Sequence, residues 1–479
     1  MRGARGLAAL AVVLAFVGGP RAARAQPQHV DIGEQLGAPG EPPLVILLTF
    51  GEGVQIFEKF GHGALCLYYP SEQLPQLNPN AETQFAPIAA RAGLPVGALV
   101  TTTCFNYGVT NFREGAGMVW NFLRGKQKFW VDTERMIDMV AFYSGKTDLG
   151  HQLQEDRDVW MQRLPLTPAQ ARRIEAKLLF DIKEENKFYI YDHFFDNCTT
   201  RLRDMIDDAT DHKFGEGTDK LYGPTFRELG YRGIAEYPLL VGAADFYAGR
   251  QLDDHPTVWL AMFHPDIIRA QVEAKLGVKP ALLYARTGPP FPQTGSSGHL
   301  EYFLIALGFA LPLLLARLLG WGRVATTAAV SFATLYLFLW GAILWGASIV
   351  SSIPGLRWNE LVFVLMPVDI VLPILSETKR RSYARGRLAL LMLVSLLDVI
   401  GLFHQPVWIP VLTAFMPMAL LAFWPARTFA AAPTVPVTPE PVAPPLAPIA
   451  VPVEPVAVAR EPIDEPVAQV EPATEPEPA

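Results

Sequence analysis

Apolar positions change their spacing twice along this chain. Between Leu44 and about residue 295 they come in short runs broken by turn residues and mixed with aromatic and charged positions. From Tyr302 they gather into five longer segments, about 300–319, 324–350, 358–376, 387–404 and 407–425. Each is near the length that crosses a bilayer, the fourth and fifth at the short limit. In the first part, Leu44–Thr49, Ala64–Tyr69 and Thr101–Val109 are rich in β-branched, aromatic and aliphatic residues flanked by Gly or Pro, and predict strands. Helical spacing appears at Ile174, Leu178 and Ile182. It is preceded by Thr167-Pro168 and Gln170, a cap, a first-turn proline and a capping-box partner, so a helix is predicted to run to about Asn186. A second helix should begin near Asn197 and carry Cys198 in its first turn. The expected fold is α+β for residues 27–295, followed by an all-α, five-helix transmembrane domain over 300–425.

The ends of the chain and the loops between the long segments add direction. Met1-Arg2-Gly3-Ala4-Arg5, an apolar run from Leu7 to Val17 and small residues ending at Ala25 follow the order of a secretory signal, so 1–25 is expected to be removed. An uncleaved anchor is the alternative, with a run that is short for a span. Arg317 and Arg323 flank the first loop, and Lys379, Arg380, Arg381, Arg385 and Arg387 fill the third. The second has only Arg357, and the fourth, around His404-Gln405-Pro406, has none. Cytoplasmic loops collect Lys and Arg, so loops one and three face the cytoplasm and the first domain faces the periplasm of a bacterial inner membrane. Residues 428–479 are Pro, Val, Ala and Glu with almost no aromatics, a composition that cannot bury a core; they are expected to be a disordered cytoplasmic tail.

Half of the residues are hydrophobic and the net charge is -7, which fits a membrane protein and argues against nucleic acid as a partner. Three cysteines are too few for a disulfide scaffold, and an odd number leaves at least one free thiol in an oxidising compartment. Cys66 and Cys104 lie in predicted strands, as buried apolar thiols or as a mutual disulfide. Cys198 follows Asp196-Asn197 at a helix start, where free N–H groups and the helix dipole lower a thiol's pKa and can receive an oxyanion. A base is then needed, and His62 in Phe60-Gly61-His62-Gly63-Ala64 is the candidate, its glycines allowing close backbone approach and an exposed imidazole. A structural histidine is the alternative, and the chain alone does not bring His62 to Cys198. Asp369 and Asp398 fall in predicted spans, where an ionisable group faces a bundle interior or sits near a helix end.

Phe60-Gly61-His62-Gly63-Ala64-Leu65, Phe105-Asn106-Tyr107-Gly108, Phe122-Leu123-Arg124-Gly125-Lys126 and Tyr191-Asp192-His193-Phe194-Phe195-Asp196-Asn197-Cys198-Thr199-Thr200-Arg201-Leu202-Arg203-Asp204 stand in that order. They resemble the motifs of the N-terminal periplasmic domain of Lnb-type apolipoprotein N-acyltransferases. The resemblance continues through Thr225-Phe226-Arg227 and the Ala244-Asp245 region to Trp358-Asn359-Glu360-Leu361 before Pro367, covering most of residues 45–425. Asp192-His193 departs from the family's run, and His193 receives no role. A histidine followed later by a cysteine on a helix also resembles circularly permuted papain-like folds such as lecithin:retinol acyltransferase. The resemblance implies Cys198 as nucleophile and His62 as general base; Asn106 is the choice for the group that orients His62. It implies an acyl chain passing from a phospholipid, through a Cys198 thioester, to the N-terminal amine of a diacylglyceryl-cysteine apolipoprotein, with no metal or organic cofactor. Arg124 could hold the lipid phosphate, with Lys126 beside it or in a solvated turn. Arg201 and Arg203 could do the same, or pair only with Asp204 and Asp207. The alternatives are a Cys–His hydrolase, either phospholipase or cell-wall amidase or peptidase, and a non-enzymatic envelope scaffold.

Overall fold

The computed structural model describes residues 41–54, 58–111, 116–145 and 155–424; the expected signal peptide (1–25) and tail (428–479) lie outside the described residues. Seven strands form one sheet: β1 (Leu44–Phe50), β2 (His62–Tyr68), β3 (Thr103–Val109), β4 (Lys128–Arg135), β5 (Val159–Arg163), β6 (Phe188–Ile190) and β7 (Ala281–Tyr284). Their order is β6-β4-β3-β2-β1-β5-β7, with every neighbouring pair antiparallel. Side chains alternate between the faces of a strand, and here both faces are covered. Val45, Leu47, Leu65, Leu67 and Phe105 pack with the helices Pro168–Asp181, Cys198–Ala209 and Pro265–Leu276. Ile46, Leu48, Ala64 and Cys66 pack on the other side with Pro79–Ala92, Val96–Thr101 and Met136–Tyr143. Burial on both sides explains why β1 and β2 read as continuous apolar runs.

Local signals carry most of the helix boundaries. Thr167 caps Pro168–Asp181 through a capping box with Gln170. That helix ends at Asp181, short of the expected Asn186, because the Asn186 side chain donates to the Phe180 carbonyl and turns the chain. Cys66 and Cys104 are buried register partners on β2 and β3 and form a disulfide, so of the two readings the mutual bridge holds rather than the buried thiols, and Cys198 is the free thiol.

Beyond residue 298 four of the five expected segments are long helices, with one further helical turn at Pro354–Arg357. His299–Leu319 and Arg323–Val350 are long and apolar enough to cross a membrane, and Glu377–Val399 and Trp408–Phe423 follow. The third segment, 358–376, is instead two stretches of 3-10 turn, Glu360–Phe363 and Pro367–Ile374. Pro367 and Pro373 have no N–H to donate to a helix, and carbonyls are left over. Arg387 donates to the Phe363 and Val364 carbonyls, and Arg380 to those of Leu372, Pro373 and Leu375. Irregular backbone among apolar helices survives only when its polar groups are satisfied in this way. Arg387 also grips the fully buried Asp369 at 2.9 and 3.0 Å, with the Tyr383 hydroxyl at 2.6 Å. Two of the basic residues that the sequence assigned to a loop therefore point into the protein from a helix.

The five segments still run back and forth between two ends. At one end Arg317 meets Glu377 at 3.1 Å. At the other, His299 binds Asp245, the Gly249 N–H donates to Gly355, and Gln405 donates to the Ala248 carbonyl. Asn359 donates to the carbonyls of Phe246 and Tyr247 at that same end, and Glu360 accepts from the N–H groups of His404 and Gln405. The described residues thus pack as one compact unit across the composition change near residue 298.

Candidate active site

Cys198 is the first residue of its helix. Asn197, in extended backbone, caps it by accepting the Thr200 N–H at 2.9 Å, and its own N–H donates to the Thr200 hydroxyl at 2.8 Å. The Asn197 amide also donates to the His193 and Phe263 carbonyls, so the cap is anchored to two neighbouring segments. The helix start lies directly against β2: a Cβ on Gly63 would come within 3.0 Å of Leu202. With no side chain there, the Gly63 N–H reaches the Cys198 sulfur, as does the Thr199 N–H, and the Thr199 hydroxyl lies 3.6 Å away.

His62 opens β2, opposite Phe50. The preceding Gly61 has φ +76°, which only glycine adopts without strain, and this turn delivers the imidazole to the strand end. The ring is buried rather than exposed as expected, stacked 5.9 Å from the Phe50 ring and 6.1 Å from Tyr143. Gly108 closes over it, since a Cβ there would sit 2.6 Å from His62 Cε1. β2 and β3 pair so that Asn106 Oδ1 lies 2.8 Å from His62 Nε2. The same oxygen accepts the Gly108 N–H at 2.9 Å, while the Asn106 amide donates to Glu134 at 3.1 Å. An oxygen that only accepts requires the proton on Nε2, which leaves the Nδ1 lone pair of His62 as the basic position.

His62, Asn106 and Cys198 line one cleft, together with Tyr191, His193, Arg157 and Glu58. Burial pushes the Cys198 thiol up from its ordinary value. It outweighs the Thr199 hydroxyl, the Gly63 and Thr199 N–H groups and the Arg157 charge, all of which favour thiolate. The helix start was expected to lower this pKa, but desolvation of the anion is the larger effect.

The three arginines singled out for phosphate lie elsewhere. Arg124 sits at the junction with the helices, its carbonyl accepting from Ser352 and its guanidinium 5.8 Å over the Trp120 ring. Arg201 is held by Asp196 at 2.7 and 2.9 Å and stacks on Tyr189, so its partner is neither Asp204 nor Asp207. Arg203 is buried, pairs with Asp204 as one of the two readings had it, and donates to the Trp259 carbonyl. The cleft holds three polar groups that the sequence did not mark: Arg157, Glu58 and His193. Arg157 arrives only through the long-range pairing of β5 with β1, for which no local pattern exists. Burial, with His264 adding to it, pushes His193 down to about 3.

Residues 82–229 match the family described as the Lnb N-terminal periplasmic domain. The matched span contains Asn106, Arg124, Cys198, Arg201 and Arg203 and begins after His62. The match covers less than a third of the chain and is a likeness of that stretch to the family; beyond it, two helices are long and apolar enough to cross a membrane. No curated protein and no solved structure matches the chain.

Proposed function

We propose that this chain, with its Lnb-type periplasmic domain, is a thiol acyltransferase that moves an acyl chain from a phospholipid to the N-terminal amine of a diacylglyceryl-cysteine lipoprotein. The observation that carries the reading is one cleft in which a cysteine at the first position of a helix meets the Gly63 N–H and which a histidine hydrogen-bonded to Asn106 also lines. A histidine on an early strand and a cysteine on a later helix also agree with a permuted papain-like arrangement.

His62 Nδ1 accepts the Cys198 proton, and the thiolate attacks an ester carbonyl of the phospholipid. Negative charge that develops on the carbonyl oxygen is met by N–H groups at the helix start. The ester C–O bond breaks, the lysophospholipid oxygen takes the proton back from His62, and a thioester remains on Cys198. The acceptor amine then attacks the thioester carbonyl, its proton passes to His62, and the thiolate leaves as the amide forms. Burial that disfavours the free thiolate also keeps water from the thioester, which favours transfer to an amine over hydrolysis. Helices of spanning length suit two substrates confined to a bilayer.

Purified protein given phospholipid and no acceptor should gain the mass of one acyl chain on Cys198, labile to neutral hydroxylamine. Cys198→Ser should form no such adduct. In a strain lacking its own lipoprotein N-acyltransferase, the wild-type chain should restore the third acyl chain on a lipoprotein N-terminus. An adduct that maps elsewhere, or full N-acylation by Cys198→Ala, would overturn the mechanism.

A further inference from the structure

Arg157 is 1% exposed, and no carboxylate of the described residues is paired with it. Nε donates to the Gly51 carbonyl at 2.8 Å, the guanidinium lies 4.7 Å over the Tyr143 ring, and Nη2 has no hydrogen-bond partner among the described residues. Glu58 has the complementary defect, a buried Oε2 with no partner among the described residues. Its neighbour Lys59 does not supply one, being paired with Glu236. Both side chains line the cleft of Cys198 and His62, and among the described residues lining it they are the ones that carry a formal charge. They meet at Gly53, where a Cβ would sit 2.9 Å from Glu58 Oε2 and 3.2 Å from Arg157 Nη1; a side chain at that position would push them apart. A buried polar group without a partner is costly, and two of opposite charge facing one cleft, each with an atom unsatisfied among the described residues, suit a ligand that satisfies both.

We propose that Arg157 and Glu58 form a head-group subsite for a zwitterionic phospholipid, Arg157 receiving the phosphodiester and Glu58 the ammonium. The proposal rests on the acyltransferase reading and specifies its donor. A guanidinium with a free N–H matches a phosphate oxygen by a charge-assisted hydrogen bond, and a carboxylate oxygen matches an ammonium proton in the same way. The arginines first considered for this task already have partners or lie outside the cleft.

The test uses the full-length protein in detergent and reads protection of Cys198, its free thiol, from iodoacetamide. The probes are short-chain ether lipids, which have no carbonyl to attack, bearing phosphoethanolamine, phosphoglycerol or an uncharged glycerol head. Wild-type protein should be protected in that order, with steps of about 10-fold in the concentration required, as expected for one charge-assisted contact each. Glu58→Gln should remove the first step and Arg157→Gln the second. Equal protection by the phosphoglycerol and glycerol lipids in the wild type would overturn the Arg157 assignment, even if Arg157→Gln fails to fold. Equal protection by the phosphoethanolamine and phosphoglycerol lipids would overturn the Glu58 assignment. Because no acyl group moves, the subsite stands or falls apart from the transfer reaction. The expected order without a Cys198 thioester from ester lipids would sink the acyltransferase and leave the subsite; a thioester without the order would do the reverse.

Discussion

At the scale of single residues, the cleft depends on groups whose states are fixed by one or two contacts. In the proposed mechanism Asn106, whose Oδ1 lies 2.8 Å from His62 Nε2 and accepts the Gly108 N–H, is a positioning residue that leaves Nδ1 basic. Asn106→Ala should slow acyl-enzyme formation by about 10- to 100-fold, the value of one hydrogen bond to a group that becomes charged. Asn106→Asp should recover part of the rate and move the acidic limb of the pH profile, because a carboxylate raises the imidazole pKa. Equal losses in both variants with an unmoved profile would reduce Asn106 to a structural role. His193 makes a separate contribution through pH. Its ring packs against Phe60, Phe194 and Phe263, its Nε2 is buried without a partner, and its pKa of about 3 lies below the usual 6.5. Between those values the unfolded chain binds the extra proton, so stability is fully present above pH 6.5 and falls as pH drops toward 3. Between pH 7.5 and 5 this amounts to about 2 kcal/mol from His193. Denaturant titrations should show a smaller acid loss for His193→Asn than for the wild type, and equal losses would contradict the assignment.

At the scale of elements, a capped helix and a cross-strand bridge fix the two halves of the site. Asn197 joins the start of the Cys198 helix to the carbonyls of His193 and Phe263. Asn197→Ala should cost about 1–3 kcal/mol, a lost cap plus unsatisfied buried groups, and should lower the rate of Cys198 alkylation as the helix start loosens. Unchanged denaturation and alkylation would remove the cap from the account. The Cys66–Cys104 bridge ties β2, which carries His62, to β3, which carries Asn106. Replacing both cysteines by serine should lower stability by about 2–4 kcal/mol and leave the acyl adduct on Cys198. Loss of all adduct in a folded double variant would show a direct part in the chemistry.

For the whole molecule, the working unit is the domain together with its helices. Gln405 donates to Ala248, and Asn359 donates to Phe246 and Tyr247, across the composition change that the sequence reads as a boundary. These amides are buried, so Gln405→Ala leaves carbonyl and amide groups without partners. The variant should lose about 1–3 kcal/mol and become more open to proteolysis near residues 285–298. A wild-type cleavage pattern would mean that the junction is held by other contacts.

The sequence alone determined whatever depends on neighbours along the chain. A capping box placed the helix after Thr167 and an N-cap position the one after Asn197, apolar runs placed β1, β2 and β3, and long apolar segments placed the two helices of spanning length. These are local because a cap, a strand run or a spanning helix is satisfied within a few residues of itself. Cys198, His62 and Asn106 were legible as candidates, but their meeting was not, since it follows from sheet register and from a helix docked on β2 through Gly63. Tertiary structure also decided that Arg201 and Arg203 are already paired, that Arg380 and Arg387 turn inward to serve a 3-10 segment, and that Arg157 and Glu58 share the cleft. The reason is common to all of them. A charged side chain reads the same in sequence whether it meets solvent, a carboxylate or a stray carbonyl, and only the packing of distant elements chooses among these partners.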